Sequence, residues 1–469
     1  MSARARGYRR LAMASTDAPP APAIAAPVPL GPFERLMLAD ARPDHPMHFF
    51  IECEVEGDLD EVRLGAAVAT AVGRHPRLAS RVAVDRNGPA WAPTDEPVPV
   101  EWVREATAPD PWRRIDPTRG CGWRLVVLPA TTGGAPLTHR LVLVVQHACC
   151  DGIAALEFLG DVWAAYAGLT PPPLDEPTSA TPKATASSPT APEPPASAAP
   201  SAPPWRQALS FAWFRPTPLA RDPSPVAAIP GVNASPAPPY ETLALDREAT
   251  ERLRAAAVAI DASLNDLLVA ATMLAIARWN DRLRGRSGNI RITMPVSLRG
   301  PRQRLSARNA ISYAFLDRAE AALRDPRALV VSIRDATRWI LDTGATVAFL
   351  DTLAMLAGIR GGLAVVTRAP VCFSTAVVSN VGDASRRMRS GVPRREGLDA
   401  PGNVVIRAMS GVPPLRPGTR LALGVVHYAG GFTISCLCSA HADPRHGARL
   451  FLDLLGAELD SLVRDLPPA

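Results

Sequence analysis

The chain has 469 residues, of which 47% are apolar and 20% are charged, and its formal net charge is +6. This length predicts two or three domains or lobes, and the composition is ordinary for a soluble globular protein. The basic excess does not indicate nucleic-acid binding, because the arginines are scattered among acidic residues without a basic stripe or an aromatic stacking pattern.

The seven cysteines are odd in number and spread along the chain, and no pair has the Cys-x-x-Cys spacing of a metal site. We therefore predict no metal site. The sequence also has no phosphate-binding Gly-rich loop, and no bound cofactor is predicted. Small apolar cysteines in a reducing cytosol are the favoured interpretation, so we expect a cytoplasmic protein. The N-terminal arginines are not followed by an apolar segment, and a secretory signal is not predicted.

The first part of the chain divides into an arm and a lobe. Residues 1–28 are rich in Ala and Pro and are predicted to form a disordered arm. Residues 29–170 alternate strand-like and helix-like segments and are predicted to form an N-terminal lobe. Its predicted elements are strand 49–55, helix 59–73, strand 137–146 and helix 153–166.

Residues 171–240 hold 20 of the 50 prolines and are predicted to form a linker. Residues 171–204 are too poor in apolar side chains to form a core. The apolar segment 205–214 lies within this linker. Either a short helix on one lobe or a contact with a membrane or lipid surface fits its composition, and both interpretations stay open.

Residues 241–469 are predicted to form a C-terminal lobe. The predicted elements are helices 246–260, 264–279 and 445–462, strands 290–296, 371–379 and 404–409, and a hairpin within 421–442. The uncharged hairpin segment is interpreted as buried strands rather than a membrane span, because it turns at two glycines near its middle. The whole pattern predicts an α/β protein with two lobes of mixed sheets and helices.

The segment 146–152, Gln-His-Ala-Cys-Cys-Asp-Gly, joins a predicted strand to a predicted helix. His147 leaves a rigid buried strand and titrates near neutrality, so it is a candidate general base. Asp151 follows four residues later, and Gly152 is expected to permit a backbone reversal that a side chain would hinder. From spacing alone, His147 fits an ordinary core histidine equally well.

This segment resembles the His-His-x-x-x-Asp-Gly motif of the superfamily that contains chloramphenicol acetyltransferase, the condensation domains of nonribosomal peptide synthetases and the wax ester synthase/diacylglycerol acyltransferase enzymes. Gln146 stands where the first His is usual, but related acyltransferases retain only the second. Further segments are similar to other blocks of the superfamily, in the same order and closest to the wax ester synthase branch. These segments are 29–38, 74–81, 264–266, 295–299, 378–382 and 428–431.

The resemblance implies two chloramphenicol acetyltransferase-like lobes around a central active-site tunnel, where acyl donor and acceptor meet at His147. It implies that His147 is the catalytic base. It also implies that Asp151 is mainly structural and pairs with an arginine. Arg74 and Arg81 are the two candidates, and Ala79, where the family often has Arg, leaves the choice open.

Three further residues are candidates for substrate contact. Asn380 follows a predicted strand and is expected to line the tunnel or to donate to an oxyanion, with a turn asparagine as the alternative. Ser297 and Arg299 follow another strand end and are candidates to touch donor or acceptor. An ordinary loop or a structural ion pair is the alternative for these two residues.

The implied activity is transfer of an acyl group from a thioester, either acyl-CoA or a phosphopantetheinyl carrier protein, to a hydroxyl acceptor. Wax ester or triacylglycerol synthesis is included in this prediction. Two alternatives remain, namely a stand-alone condensation enzyme that forms an ester or amide in natural-product biosynthesis, and a non-catalytic binding module. The predicted partners are an acyl donor and an alcohol or amine acceptor, with peripheral membrane contact as an open question.

Overall fold

The computed structural model describes residues 27–86, 88–104, 110, 112–129, 138–175, 214–224, 239–300 and 302–466. Most of the predicted arm 1–28 and of the predicted linker 171–240 lies outside the described residues. In the apolar segment 205–214, only Phe214 is described. The predictions for these segments, and the four domain bounds, therefore stay predictions.

The described residues form ten α-helices and sixteen β-strands. The helices are α1 (Pro32–Asp40), α2 (Glu61–Arg74), α3 (Gly152–Tyr166), α4 (Arg247–Val258), α5 (Leu264–Arg284), α6 (Pro326–Thr343), α7 (Val347–Gly358), α8 (Gly362–Arg368), α9 (Ala384–Met388) and α10 (Pro444–Asp465). Strands β1 to β8 are Val28–Pro29, His48–Gly57, Ser80–Asp85, Gly88–Pro93, Val100–Trp102, Trp123–Leu128, Thr138–Gln146 and Glu241–Leu245. Strands β9 to β16 are Ile290–Ser297, Ile311–Arg318, Ala376–Asp383, Arg394–Arg395, Leu398–Asp399, Val404–Val412, Leu421–Tyr428 and Gly431–Cys438.

Two mixed sheets organise the two lobes. The N-terminal sheet has the strand order β14-β2-β7-β6-β5, and the C-terminal sheet has the order β10-β9-β11-β15-β16-β8. Strand β11 runs parallel to both of its neighbours, whereas most of the other pairs are antiparallel. The N-terminal sheet packs against helices over one apolar core, to which β10 and β15 of the C-terminal sheet also contribute, and the C-terminal sheet packs against helices over a second core. The predicted α/β class with two lobes of mixed sheets is confirmed.

Local hydrogen bonds of side chains determine where some of the predicted helices and strands begin. Ser263 and Asp266 cap α5 reciprocally, since the Ser263 hydroxyl accepts from the Asp266 N–H at 3.1 Å while the Asp266 carboxylate accepts from the Ser263 N–H at 2.9 Å. The strand predicted at 371–379 instead begins at Ala376. Its first residues form a loop, where the Ser374 hydroxyl donates to the Ala376 carbonyl at 2.8 Å and so competes with strand pairing.

Strand β14 ties the two lobes together. Although it lies in the segment predicted as the C-terminal lobe, it pairs antiparallel with β2 in the N-terminal sheet. It also passes close to β15 of the other sheet. A Cβ on Gly424 would lie 2.0 Å from the carbonyl oxygen of Gly411, so this crossing requires glycine. The C-terminal part of the chain therefore completes both sheets.

A buried carboxylate on α3 gathers three basic side chains from separate parts of the chain. Asp161 is fully buried and accepts a hydrogen bond from Arg74 Nε at 2.8 Å. It also pairs with Arg304. His75 Nε2 lies 3.1 Å from the same carboxylate, and because His75 Nδ1 accepts from a backbone N–H, the ring proton is on Nε2 and is donated to Asp161.

This cluster crosses between the lobes. Arg304 belongs to the loop between β9 and β10, and it donates to the carbonyls of Pro172 at 2.6 Å and Glu157 at 3.1 Å. The backbone N–H of Ala307, in the same loop, donates to His75 at 2.9 Å. The cluster therefore fixes this loop of the C-terminal part against α2 and α3.

We predict that Asp161→Asn lowers the free energy of unfolding by about 3–5 kcal/mol, because it leaves the buried Arg304 guanidinium without its counter-charge. Urea unfolding followed by tryptophan fluorescence measures this change. Asp342→Asn, which alters an exposed carboxyl on α6, is the matched control and should change stability little. Equal behaviour of the two variants would contradict a structural role for the cluster.

Candidate active site

The loop after β7 holds His147 through backbone hydrogen bonds. The His147 N–H donates to the Met47 carbonyl at 2.9 Å, and the Gln146 side-chain oxygen accepts from the Ala148 N–H at 2.7 Å. Asn309 donates from Nδ2 to the carbonyls of both His147 and Ala148 at 2.9 Å. Gln146 thus stabilises the loop from the position directly before His147.

Aromatic rings surround the His147 side chain. The imidazole is 6% exposed and makes edge contacts with Phe33 at 5.7 Å and Phe49 at 5.2 Å between ring centroids. Burial lowers the pKa of His147 below its ordinary value, while the Asp151 charge and Asn309 act in the opposite direction without reversing the effect. The neutral imidazole, which is the form that accepts a proton, is therefore favoured at neutral pH.

The partner of Asp151 is Arg299, at 2.9 Å, with both side chains buried. The expectation that Arg74 or Arg81 fills this place is wrong. Arg74 pairs with Asp161, and Arg81 is exposed on β3. Spacing in the sequence misses Arg299 because the pair joins residues 148 positions apart.

The two Asp151 carboxylate oxygens are both occupied by donors. One accepts from the Ala154 N–H at 2.9 Å and so caps α3. The other accepts from Arg299 and from the Ala310 N–H at 2.7 Å. These contacts join α3 to the loop before β10, which gives Asp151 the geometry of a structural residue.

Gly152 has a different role from the one expected. Its φ is not in the positive region, so the turn itself does not require glycine. Instead, a Cβ at this position would lie 3.1 Å from Cγ1 of Val381, on β11. Gly152 therefore permits close packing between the start of α3 and the C-terminal sheet.

The three candidate substrate contacts are engaged within the protein. Arg299 holds Asp151, and Ser297 Oγ accepts from the Arg299 N–H at 3.2 Å. Asn380 accepts from the Gly382 N–H at 2.9 Å and donates to Asn265 at 3.3 Å. For Arg299, the alternative of a structural ion pair describes the observed geometry. Substrate contact by Ser297 and Asn380 stays a prediction.

Two polar residues near the motif, the half-buried Asn309 and the buried Glu157, were not identified from the sequence. Asn309 clamps the His147 loop but follows no motif that singles it out. Glu157 lies on α3 near Arg299 and Arg304, and burial raises its pKa to about 7. Because Glu157 loses its charge near neutrality, the charges of the two arginines are balanced mainly by Asp151 and Asp161. The two arginines lie more than 130 residues from these carboxylates in the sequence, so local patterns do not indicate the pairing.

The two cysteines within the motif, Cys149 and Cys150, are buried. A side-chain hydrogen bond with Cys149, together with burial, raises the pKa of Cys150, so a reactive thiolate is disfavoured there. Within the described ranges, no group of three or more His, Cys, Asp or Glu side chains could hold a metal ion.

We predict that Arg299→Met lowers the free energy of unfolding by about 3–5 kcal/mol, because Asp151 stays buried without a counter-charge. Thermal and urea unfolding measure the change. Arg81→Met is the matched control, because the Arg81 side chain is exposed. The free energy of unfolding of this variant should equal that of the wild type.

The double variant Asp151→Asn/Arg299→Met sharpens this test. It removes both charges. Its loss of unfolding free energy should therefore be smaller than the sum of the losses in the single variants Asp151→Asn and Arg299→Met. Strictly additive losses, or a large loss in the Arg81→Met control, would contradict the assigned pair.

No protein-family profile matches the sequence, and no curated protein matches it. Solved structures do match. Polyketide synthase associated protein 5 from Mycobacterium tuberculosis is similar with a TM-score of 0.60 and 17% identity, over 94% of this chain and 100% of that chain. Trichothecene 15-O-acetyltransferase from Fusarium sporotrichioides matches with a TM-score of 0.63 and 13% identity, over 93% of this chain and 94% of that chain.

A third match is the starter condensation domain of rhizomide synthetase, solved with C8-CoA and Leu-SNAC. Its TM-score is 0.60 and its identity 15%, over 94% of this chain and 95% of that chain. Identities this low show the fold alone. The chain therefore has the two-lobed fold found in an O-acetyltransferase and in condensation domains.

Proposed function

We propose that this protein is an acyltransferase that moves an acyl group from a thioester to a hydroxyl acceptor, with His147 as the general base. One observation carries the proposal. A buried imidazole with a lowered pKa lies on a rigid loop between β7 and α3, in a fold found in acyl-transfer proteins. A neutral base held in an apolar environment is suited to remove a proton from an alcohol.

His147 acts twice in the proposed reaction. It takes the proton from the acceptor hydroxyl as that oxygen attacks the thioester carbonyl carbon, and a tetrahedral oxyanion forms. The carbon–sulfur bond then breaks, and the imidazolium returns the proton to the leaving thiolate. The products are an ester and a free thiol, and a covalent acyl-enzyme is not required. Close placement of donor and acceptor supplies much of the rate.

Asp151 is proposed to position His147 rather than to share its proton. Its carboxylate is held by Arg299 and two backbone N–H groups. Asn309 contributes in a similar way, because it fixes the carbonyls of His147 and Ala148. These contacts hold the base still while donor and acceptor approach it. Asn380 and Ser297 remain candidates to contact the substrates.

The proposed substrates are apolar. Phe33 and Phe49 contact the His147 ring, and Tyr313 contacts Phe33 at 5.2 Å between ring centroids. Such aromatic surfaces suit an acyl chain or an apolar acceptor. Acyl-CoA is the proposed donor, and the structure of the rhizomide domain in complex with C8-CoA supports this choice. Fatty alcohols or diacylglycerol are the proposed acceptors, which would give wax esters or triacylglycerol.

A natural-product condensation enzyme is the second candidate. The matched structures include a polyketide synthase associated protein and condensation domains of peptide synthetases. In this case the donor would be a carrier-protein thioester and the product an ester or amide. The chemistry at His147 would be the same, so the two candidates differ in donor and acceptor only.

We predict that His147→Ala lowers kcat/KM for acceptor-dependent thiol release by about 10²–10⁴-fold, the usual contribution of a general base. Thiol release is measured with short and long acyl-CoAs, with and without a long-chain alcohol or diacylglycerol. His446→Ala, an exposed histidine on α10, is the matched control and should keep full activity. Unfolding curves establish that both variants are folded.

The substrate panel separates the candidates. Release from carrier-bound acyl groups but not from acyl-CoA assigns the condensation activity. A His147→Ala variant as active as the wild type removes the proposed role of this residue. Absence of turnover with every donor, in wild type and variant alike, favours the non-catalytic binding module.

We predict that the acidic limb of the kcat/KM profile has its midpoint below pH 6.5. Burial lowers the pKa of His147 and therefore keeps the base unprotonated in mildly acidic solution. Activity should fall only as the pH drops through this lowered value, where the imidazole becomes protonated. A pH series with a saturating soluble acceptor measures it, and a midpoint above 6.5 would contradict the prediction.

A further inference from the structure

Helix α7 is unusually apolar for its degree of burial. Over Val347–Gly358 it has one charged residue, Asp351, yet Leu353 is its only buried residue. A helix with so few polar side chains is normally enclosed on all sides. The structure instead leaves most of α7 half-buried or exposed.

Exposed apolar side chains concentrate around this helix. Of the ten large hydrophobic side chains that are exposed in the described part of the chain, five lie between residues 341 and 371. Their exposed fractions are between 46% and 74%. They are Leu341, Met355, Ile359, Val365 and Val371. Isolated exposed hydrophobic residues are ordinary, but five within one short stretch of consecutive helices indicate an interaction surface.

We define the α7–α8 surface by Met355, Ile359 and Val365, which lie on α7, at its C-terminal end and on α8. The helices contact each other and both contact α1. Between them, Gly361 adopts the left-handed conformation, with φ of +78°. The sharp turn keeps the two helices short and adjacent rather than continuous.

The charges beside this surface are mainly positive. Arg360 and Arg368 are exposed at the ends of α7 and α8, and Arg42 donates to the Thr367 carbonyl at the end of α8. Asp351 is the only acidic residue between residues 347 and 368. Apolar side chains bordered by arginines match the boundary between acyl chains and anionic headgroups of a bilayer.

We propose that the α7–α8 surface docks onto an anionic lipid bilayer. The helices would lie in the interface rather than cross it. No single helix among the described residues is long and apolar enough to span a membrane. The pair α6 and α7 has sufficient length and apolar composition together, but it is bent by 66°.

The inner side of α7 leads toward His147. Phe349 contacts Tyr313 at 5.3 Å, Tyr313 contacts Phe33 at 5.2 Å, and Phe33 contacts His147 at 5.7 Å between ring centroids. Docking would therefore place the bilayer against the outer side of α7. From the inner side of α7, the rings of Phe349, Tyr313 and Phe33 lead to His147. This second step, delivery of a membrane-dissolved acceptor, rests on the proposed acyl transfer.

Flotation of the full chain with phosphatidylcholine vesicles, with and without phosphatidylglycerol, tests the docking surface. The wild type should float with the anionic vesicles, and salt should weaken this binding. Met355→Asp/Val365→Asp should lower binding by about tenfold or more for each side chain, because each removes one apolar contact with the bilayer. The substituted side chains are exposed, so the fold should be retained.

Val62→Asp/Val258→Asp is the matched control, since it introduces the same charges at exposed valines on α2 and α4. It should bind vesicles as the wild type does, apart from a small general effect of charge. Equal loss in both double variants, or a wild type that does not float, overturns the proposal. A wild-type dimer that Met355→Asp dissociates, without vesicle binding, assigns the surface to a second copy instead.

Activity assays separate this proposal from the proposed function. With a short acyl-CoA and a water-soluble alcohol, Met355→Asp/Val365→Asp should keep wild-type kcat/KM. With diacylglycerol in anionic vesicles, its rate should fall along with binding. If docking is lost in the variant but the wild type transfers no acyl group in either assay, the acyl-transfer proposal fails while the membrane surface stands.

Discussion

The buried carboxylate of Asp151 is the constraint on which the site depends. It accepts hydrogen bonds from the Ala154 N–H, from Arg299 and from the Ala310 N–H, so it caps α3 and fixes two parts of the other lobe at the same point. Each of these donors is costly to bury without a partner, and Arg299 most of all because it is charged. The start of α3 is therefore held in one position relative to the C-terminal sheet.

The same contact organises the histidine loop. Residues 147–151 lie beside residues 308–310, and the bonds alternate between these two segments. Asn309 binds the carbonyls of His147 and Ala148, the Asp151 N–H points to the Arg308 carbonyl at 3.5 Å, and the Ala310 N–H returns to the Asp151 carboxylate. His147 is thus positioned by residues from both halves of the chain. Small displacements of the lobes would move the imidazole, which links the stability of the lobe contact to the position of the proposed base.

Local patterns predicted much of the fold but few of these contacts. Apolar patterns located β2, α3, α5 and α10. Only α10 is buried on one face, whereas consecutive residues of β2, α3 and α5 are buried and give continuous apolar runs. No element was predicted between residues 311 and 368, where β10 and α6 to α8 lie; α7 is apolar almost all round and offers no readable period. Arg299 was identified as a candidate without its partner, and Asn309 was missed. Both act across more than 140 residues, a distance that local patterns do not encode.

The pairing of Asp151 also explains how a buried histidine could work as a base. A free carboxylate close to the ring would favour the protonated imidazolium, which cannot accept a proton from an alcohol. Burial is the largest influence on the pKa of His147 and lowers it, although the charge of Asp151 acts in the opposite direction. Arg299, 2.9 Å from that carboxylate, carries a charge of opposite sign and so weakens the field of Asp151 at the ring. The arginine far along the chain therefore has an electrostatic consequence besides its structural one. Loss of Arg299 in a variant that still folds would strengthen the field of Asp151 at the ring and move the acidic limb of the activity profile upward.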